Sequence, residues 1–174
     1  MTRNLRSLST TRLVLEPVTQ AHAAPLFEAM RDPLLYRYEP RKPPQTLENV
    51  RARFALWEER QSYDGSSHWL NWAVRRRDDA AYIGLVQATV SAGLATIGYT
   101  IFTPFWRMGY GKEAVAAMIA EIRDTYETPL VQAWVDVENT ASIGLLESLR
   151  FKRVWTGPSE DQPGRTDHRY ESRL

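Results

Sequence analysis

The stretch that decides the fold reads FWRMGYGKEAVAAM and runs from Phe105 to Met118. A strand-like run over residues 97–102 precedes it. Gly109 and Gly111 mark a tight turn, and beyond the turn apolar residues recur with helical spacing. The sequence therefore predicts a strand, a glycine turn and the N-terminus of a helix.

A turn of this kind is suited to binding a phosphate or pyrophosphate. The first turn of a helix presents N–H groups that have no partner within the helix, and the macrodipole adds partial positive charge there. Glycines let the backbone come close to a ligand because they carry no Cβ. Arg107 and Lys112 add formal positive charge beside the turn.

The composition is that of a soluble globular domain, with 174 residues, 43% hydrophobic and 25% charged. The 22 basic and 21 acidic residues leave a net charge of +1, which favours neither nucleic acid nor a membrane surface as a partner. The chain has no cysteine, which excludes disulfides and cysteine-ligated metals, and we expect no metal site. Without a secretory signal or an apolar run of about 20 residues, a cytoplasmic location is expected.

The periodicity predicts one mixed α/β (α+β) domain over residues 1–174, in which residues 1–9 are loose. A period-two pattern over residues 70–102 predicts an antiparallel meander. After the glycine turn and its helix come a strand over residues 130–137, a short helix from Asn139 and two closing strands. We expect a mostly antiparallel sheet of six or seven strands with one splayed parallel pair and helices on both faces.

Two common phosphate-binding turns fit the sequence poorly. A Walker loop needs GxxxxGK followed by serine or threonine, but here Gly111-Lys112 is followed by Glu113. Trp106 occupies the position of the first Walker glycine. The dinucleotide fingerprint accepts Ala114 at its third position, but it follows the first strand of a parallel βαβ unit, and here an antiparallel meander comes first.

The third alternative fits better. Residues 97–114 resemble the acyl-CoA-binding segment of the GCN5-related N-acetyltransferase (GNAT) superfamily, a strand followed by a Q/R-x-x-G-x-G/A turn and a long helix. The turn occupies residues 106–111, with Trp106 where glutamine or arginine would stand. That variant, together with the following Glu113-Ala114, resembles the branch that contains ribosomal-protein-alanine N-acetyltransferases.

Two further segments match that branch, so the resemblance covers nearly the whole chain. The pattern T-x-R-L-x-L-x-P occupies residues 10–17, and N-x-x-S-x-x-L-L-x-x-L occupies residues 139–149 and is followed by Phe151. One departure is Arg150, because the family usually has glycine before this phenylalanine. Glycine suits a left-handed residue at a helix end, so arginine there should cost about 1 kcal/mol.

The resemblance implies acetyl-CoA as co-substrate, with its pyrophosphate on the backbone of the turn and its pantetheine arm on the main chain of the preceding strand. An ordinary tight turn and a plain core strand are the structural alternatives for these two segments. Asn139 is a good helix N-cap in its own right, and the resemblance implies an additional cofactor contact. The implied cofactor-binding residues are Tyr99, Thr100, Ile101, Arg107, Met108, Gly109, Tyr110, Gly111, Lys112 and Asn139.

Acetyl transfer from a thioester to an amine requires positioning, loss of a proton from the amine and a proton donor for the leaving thiolate. The resemblance implies Ser142 as that donor; many relatives use a tyrosine, which the helix over residues 139–150 lacks. Glu39, in an aromatic loop, is the acidic candidate for the general base. His68 and a chain of water molecules are alternatives to it. Candidates for the wall of the acceptor pocket are Tyr36, Tyr38, Trp69, Trp72 and Gln87.

The leading functional hypothesis is transfer of the acetyl group from acetyl-CoA to a primary amine by direct attack on the thioester. The amine acceptor is either a protein N-terminus or a small molecule. A non-catalytic acyl-CoA-binding or sensing domain of the same fold is the alternative, because no general base is assured. We expect a monomer or homodimer with no nucleic-acid or membrane partner.

Overall fold

Eight strands form one sheet in the computed structural model, which describes residues 5–174. The strands are β1 Leu8–Ser9, β2 Leu13–Pro17, β3 His68–Arg76, β4 Tyr82–Ser91, β5 Leu94–Ile101, β6 Leu130–Asp136, β7 Lys152–Pro158 and β8 Thr166–Arg173. Their order in the sheet is β1-β2-β3-β4-β5-β6-β8-β7. Every neighbouring pair is antiparallel except β5 and β6, which are parallel.

Within residues 5–174, four α-helices cover the two faces of the sheet: α1 Ala23–Met30, α2 Leu47–Glu58, α3 Tyr110–Tyr126 and α4 Thr140–Ser148. Helix α2 begins where the Thr46 hydroxyl accepts a hydrogen bond from the backbone N–H of Asn49, as its N-cap position predicts. Short 3₁₀ turns occupy Gln20–His22, Pro33–Tyr36 and Thr103–Phe105. None of the helices in residues 5–174 has the length and apolar character of a membrane span.

The sheet separates two hydrophobic cores, because successive side chains of a strand point to opposite faces. Ala73 and Leu85 pack with α1 and α2, whereas the next residues, Val74 and Val86, pack with α3 and α4. The core on the α3 and α4 side also contains Trp72, whose indole N–H donates to the carbonyl of Arg6. The α+β fold class is confirmed.

The sheet is split at its one parallel junction. Strands β5 and β6 pair only at Leu94 with Leu130, Ala95 with Val131 and Thr96 with Gln132. At the last pair, Gln132 Nε2 donates to Thr96 Oγ1 over 2.8 Å. Beyond it the two strands separate, although β5 still pairs with β4 as far as Ile101. The predicted splayed parallel pair is therefore present.

The segment before β2 holds the first turn of α3 in place. The Oε1 atom of Glu113 accepts hydrogen bonds from the Thr10 hydroxyl at 2.6 Å and from the Arg12 backbone N–H at 2.9 Å. The guanidinium of Arg12 donates to Glu113 Oε2 at 2.6 Å and to the carbonyl of Met108 at 2.9 Å, and it lies 4.3 Å from the ring centre of Tyr110. Thr10 and Arg12, two residues of the pattern over residues 10–17, thus position the glycine turn.

Arg150 adopts the left-handed conformation that its place after α4 predicts, with φ of 66°. The turn is closed by hydrogen bonds from the Arg150 N–H to the carbonyl of Glu147 and from the Phe151 N–H to that of Leu146. Arginine therefore occupies a position where a residue without Cβ would avoid strain.

The N-terminal segment differs from its prediction. Residues 1–9 were expected to be loose, but Leu8–Ser9 pairs with β2 and Leu5 is buried in the core beside α3. Residues 1–4 lie outside the described part of the chain. The two-residue strand β1 brings the sheet to eight strands instead of the six or seven expected. It was not predicted because its pairing depends on β2 rather than on a sequence pattern of its own.

Replacing Arg150 by glycine should stabilise the protein by about 1 kcal/mol, because the left-handed conformation carries no Cβ penalty in glycine. Urea unfolding measures the change. Arg150→Ala is the matched control: it removes the charge but keeps the strained Cβ, and its stability should stay near that of the original chain. Equal stabilisation by both variants would contradict this account.

Glu113→Gln should destabilise the protein by about 2 kcal/mol at neutral pH, because it weakens several hydrogen bonds to a partly buried carboxylate. Burial raises the pKa of Glu113, but the hydrogen bonds from Thr10 and Arg12 outweigh burial and hold the pKa below its ordinary value of 4.5. The folded chain thus binds the proton less readily than the unfolded chain. Glu113 therefore contributes its full stability above that ordinary value and loses it as the pH falls through the lowered pKa.

Urea midpoints measured from about pH 7 to about pH 3 test this, since the glutamine variant should lose less stability on acidification. Glu48→Gln is the control, because Glu48 is an exposed residue of α2 that pairs with Arg51. If Glu113→Gln lost stability on acidification as steeply as the original chain, the assignment of this pH dependence to Glu113 would be wrong.

Candidate active site

A cavity of about 990 Å³ occupies the gap between β5 and β6. Its walls are residues 97–101 of β5, residues 133–136 of β6, the glycine turn, the N-terminal half of α4 and the loop of residues 34–41. It extends from the turn, on the α3 and α4 face, to the loop between α1 and α2 on the other face. The cavity thus passes through the split in the sheet.

The glycine turn offers an array of unpaired donors at one end of this cavity. The six backbone N–H groups of residues 107–112 make no hydrogen bond within residues 5–174. Gly109 is the left-handed N-cap of α3, with φ of 79°, and Arg107 is also left-handed, with φ of 64°. Unpaired N–H groups at a helix N-terminus, beside Arg107 and Lys112, fit a pyrophosphate group.

Trp106, the unusual residue of the turn, ties the turn to the strand before it. Its indole N–H donates to the carbonyl of Ile101, the last residue of β5, although the ring is 45% exposed. A glutamine or arginine at this position could also donate to that carbonyl, so tryptophan preserves a donor where the family pattern has one.

Gly111 has a packing role as well. A Cβ at this position would lie 2.9 Å from Leu145 Cδ1, so the missing side chain lets α4 approach the first turn of α3. The second glycine of the turn therefore brings the helix that carries Ser142 close to the turn, in addition to leaving the backbone accessible.

Two hydroxyl groups meet at the start of α4. The carboxamide oxygen of Asn139 accepts from the backbone N–H of Ser142 at 3.2 Å, so Asn139 is the N-cap of the helix as predicted. The phenol oxygen of Tyr99, on β5, lies 2.6 Å from Ser142 Oγ. Burial raises the pKa of Tyr99 to about 12, although the hydrogen bond with Ser142 opposes this, so the phenol stays protonated near neutral pH.

The sequence analysis missed the side-chain role of Tyr99, for which it expected only main-chain contacts. Tyr99 and Ser142 are 43 positions apart, and nothing in either local pattern pairs them. Strand β5 therefore brings a tyrosine hydroxyl to the start of α4, which has no tyrosine of its own.

The end of the cavity away from the glycine turn, which we call the acceptor end after the sequence-based expectation, is lined by charged loops. Glu39 lies in the wall, and its carboxylate accepts from Arg41 at 3.1 Å. The loop between β7 and β8 contributes Asp161 and Gln162, and the Gln162 side chain donates to the carbonyl of Tyr38. The sequence analysis did not single out Asp161, because a charged residue in a loop carries no signal of the surface that it faces.

Another acidic group of the cavity, Asp136, already has hydrogen-bond partners. Asp136, at the end of β6, is buried and accepts hydrogen bonds from the Arg165 guanidinium and from the backbone N–H of Glu138. Burial raises the pKa of Asp136, but these hydrogen bonds outweigh burial, so its pKa lies below the ordinary value. Asp136 therefore remains an ionised structural group that fixes Arg165.

Eleven of the twelve predicted site residues line the cavity. They are Glu39, Tyr99, Thr100, Ile101, Arg107, Gly109, Tyr110, Gly111, Lys112, Asn139 and Ser142. Met108 is absent from the wall: its side chain is 52% exposed and its carbonyl accepts from Arg12.

The remaining candidates divide between the cavity and the rest of the fold. Tyr38 lines the main cavity, and Tyr36 and Gln87 line a smaller cavity beside it. Trp69 and Trp72 line neither cavity, which corrects the expectation that they face the acceptor. His68 also lies outside both cavities, against the ring of Tyr126, and so is not placed to act as the general base.

Comparisons with known proteins agree with this geometry. Residues 12–152 match the family described as acetyltransferase (GNAT) domain. The protein YoaA of Bacillus subtilis strain 168, described as an uncharacterized N-acetyltransferase, is 25% identical over 153 residues, covering 84% of this chain and 82% of that protein.

Solved structures share the fold at low sequence identity. RimL, described as a ribosomal L7/L12 alpha-N-protein acetyltransferase in complex with coenzyme A, has a TM-score of 0.83 at 13% identity, covering 97% of this chain and 98% of its own. The ribosomal-protein-S5-alanine acetyltransferase of Vibrio fischeri has a TM-score of 0.81 at 14% identity, covering 97% and 96%. The predicted resemblance is therefore confirmed. With its split sheet, its glycine turn and the match over residues 12–152, the chain belongs to the GNAT acetyltransferase family.

Proposed function

We propose that this protein is an acetyl-CoA-dependent N-acetyltransferase that moves the acetyl group to a primary amine by direct attack of the amine on the thioester. The observation that carries the proposal is one continuous cavity that contains both the unpaired N–H groups of residues 107–112 and the hydroxyl pair of Tyr99 and Ser142. Acetyl-CoA, when bound, supplies an acetyl group already activated as a thioester.

The chain offers two backbone surfaces for the co-substrate. The N–H groups of the turn and the positive end of the α3 dipole bind the pyrophosphate, with Arg107 and Lys112 beside them. Beyond Thr96, the edge of β5 that faces β6 has no strand partner, so its N–H and C=O groups are available to the pantetheine arm. Positioning by these two surfaces supplies much of the acceleration.

The hydroxyl pair protonates the leaving group in this proposal. Ser142 Oγ donates its proton to the thiolate as the bond between carbon and sulfur breaks, and Tyr99, 2.6 Å from Ser142 Oγ, donates in turn to the serine oxygen. The phenol is suited to this role because it lies within hydrogen-bond distance of the serine hydroxyl and is protonated near neutral pH.

Glu39 accepts the proton of the amine in this proposal. Its carboxylate lines both cavities, and because its side chain is 41% exposed, the proton can pass on to solvent. The similar structures described as a ribosomal L7/L12 alpha-N-protein acetyltransferase and a ribosomal-protein-S5-alanine acetyltransferase support a protein N-terminus as one class of acceptor. A small primary amine is the other.

The ion pair between Glu39 and Arg41 favours the alternative of a non-catalytic acyl-CoA-binding domain, because a carboxylate that already accepts from a guanidinium must exchange that partner for the amine. Thioester consumption, measured with a panel of N-terminal peptides and small amines, distinguishes the two functions. Binding of acetyl-CoA without turnover on any amine would favour the non-catalytic domain.

Gly109→Trp should abolish binding of acetyl-CoA, because the indole would fill the space in front of the unpaired N–H groups. Isothermal titration measures this, and the original chain should bind at micromolar concentrations. Gly65→Trp is the control, since Gly65 has a similar φ of 70° but open space around it. Retained affinity in Gly109→Trp would place the co-substrate elsewhere.

Ser142→Ala should lower kcat about 100-fold while leaving the affinity for acetyl-CoA almost unchanged, because its hydroxyl acts on the leaving thiolate. Tyr99→Phe should lower kcat about tenfold, since it removes the partner of Ser142 but leaves the serine. Ser148→Ala is the control, because Ser148 lies on the same helix, donates to the carbonyl of Leu145 and does not line the cavity. Full activity in Ser142→Ala would remove the leaving-group assignment.

A further inference from the structure

A second cavity, of about 200 Å³, lies beside the acceptor end of the first. Its walls come from α2, from β4 and β5, and from the loop of residues 35–41. It shares Glu39, Arg41 and Tyr99 with the main cavity, so the two are adjacent around these side chains. A volume of this size is below that of a drug-sized ligand site and suits one small chemical group.

Arg53, on α2, lines this side cavity without a partner for its charge. Its Nε atom is buried and has no hydrogen bond, and its guanidinium forms no ion pair within residues 5–174. The guanidinium lies 5.6 Å from the ring centre of Trp57, which supports it from one side. A buried donor without a partner is costly, so its presence in a cavity wall requires an explanation.

The surrounding charges do not balance Arg53. Arg41 is the nearest other cation of the wall, and its charge is already met by Glu39 at 3.1 Å. Arg169 also has a buried Nε without a hydrogen bond, but a carboxylate oxygen of Glu171 lies 3.2 Å from it. Arg53 has no such neighbour.

The ionisation of Arg53 reflects this environment. Burial lowers its pKa, and the repulsion of Arg41 lowers it further, whereas Tyr36 opposes the change. An arginine nevertheless stays charged at neutral pH. The side cavity therefore carries one uncompensated positive charge.

We propose that the acceptor carries a carboxylate as well as its amine, and that Arg53 binds the carboxylate in the side cavity. This inference rests on the proposed N-acetyltransferase function and names the class of its acceptor. A guanidinium binds a carboxylate through two parallel hydrogen bonds, which satisfies the unpaired donor. Glu39, between the two cavities, lies where it can meet the ammonium group of the same molecule.

The walls of the side cavity leave room for such a group. Gly98, on β5, faces it, and a Cβ there would lie 3.0 Å from Gln87 Nε2. The missing side chain keeps the Gln87 carboxamide free beside the cavity. Gln87 has two N–H donors and one acceptor for the polar atoms near the carboxylate.

Equilibrium binding of product analogues tests the inference without requiring turnover. N-acetyl amino acids and the corresponding N-acetyl amino acid amides differ only in the carboxylate, and each is titrated into the protein in the presence of coenzyme A. The acid should bind at least tenfold more tightly than its amide. Equal binding, or no binding by either member of any pair, would overturn the inference.

Arg53→Met should abolish the preference for the acid, because it keeps the apolar stem and removes the guanidinium. Arg51→Met is the matched control: Arg51 lies on the same helix, is exposed, pairs with Glu48 and does not line either cavity. A preference that survives in Arg53→Met would place the carboxylate elsewhere and overturn the assignment.

Kinetic measurements distinguish the two sources of the carboxylate. Free amino acids are compared with their amides, and peptides with aspartate as second residue are compared with peptides that have asparagine there. A preference of at least tenfold in kcat/KM for free amino acids over their amides identifies a free amino acid as the acceptor. The same preference within the peptide pairs identifies an acidic protein N-terminus.

The same experiments separate failure of this inference from failure of the proposed function. Acetyl-CoA turnover on amines without any preference for the acid would overturn the inference and leave the N-acetyltransferase intact. An absence of acetyl-CoA binding would overturn the proposed function, whereas the binding difference between acid and amide would still be read from the titrations.

Discussion

The site exists because the pairing of β5 with β6 stops after three residue pairs. An unbroken sheet would separate the helix pair α1 and α2 from the pair α3 and α4, and each strand edge would be occupied by its neighbour. Because β5 and β6 diverge after the third pair, one edge of β5 is left unpaired and a passage opens between the two faces of the sheet. The same divergence allows Tyr99 to reach Ser142, since no strand lies between β5 and the start of α4.

The position of the turn is determined by residues far away in the chain. Glu113 accepts from Thr10 and from Arg12, and Arg12 also binds the carbonyl of Met108. Trp106 fixes the other side of the turn to the end of β5. The turn can therefore keep its N–H groups unpaired because side chains, rather than its own backbone, hold it in place. Thr10 and Arg12, which belong to the sequence pattern over residues 10–17, thus position the glycine turn without lining the cavity.

Several of the features that the sequence predicted are local ones. The glycine turn, the cap at Asn139 and the left-handed Arg150 each depend on a few neighbouring residues, and each is present. The pairing of Tyr99 with Ser142 could not be predicted, because it depends on how far β5 and β6 diverge. The period-two pattern of β3 likewise could not tell whether Trp72 faces the core or the acceptor. Strand β1 was missed for a related reason, since two residues carry no periodicity.

The passage through the sheet has a consequence for the order of events in catalysis. The glycine turn lines the cavity on the α3 and α4 face, whereas the charged loops and Arg53 lie toward α1 and α2. Under the proposed function, each substrate would approach from its own side of the sheet, and neither would have to leave before the other enters. A geometry of this kind favours a ternary complex over a ping-pong mechanism with an acetylated enzyme. Under the same proposal, the two products would depart independently, by opposite sides of the sheet.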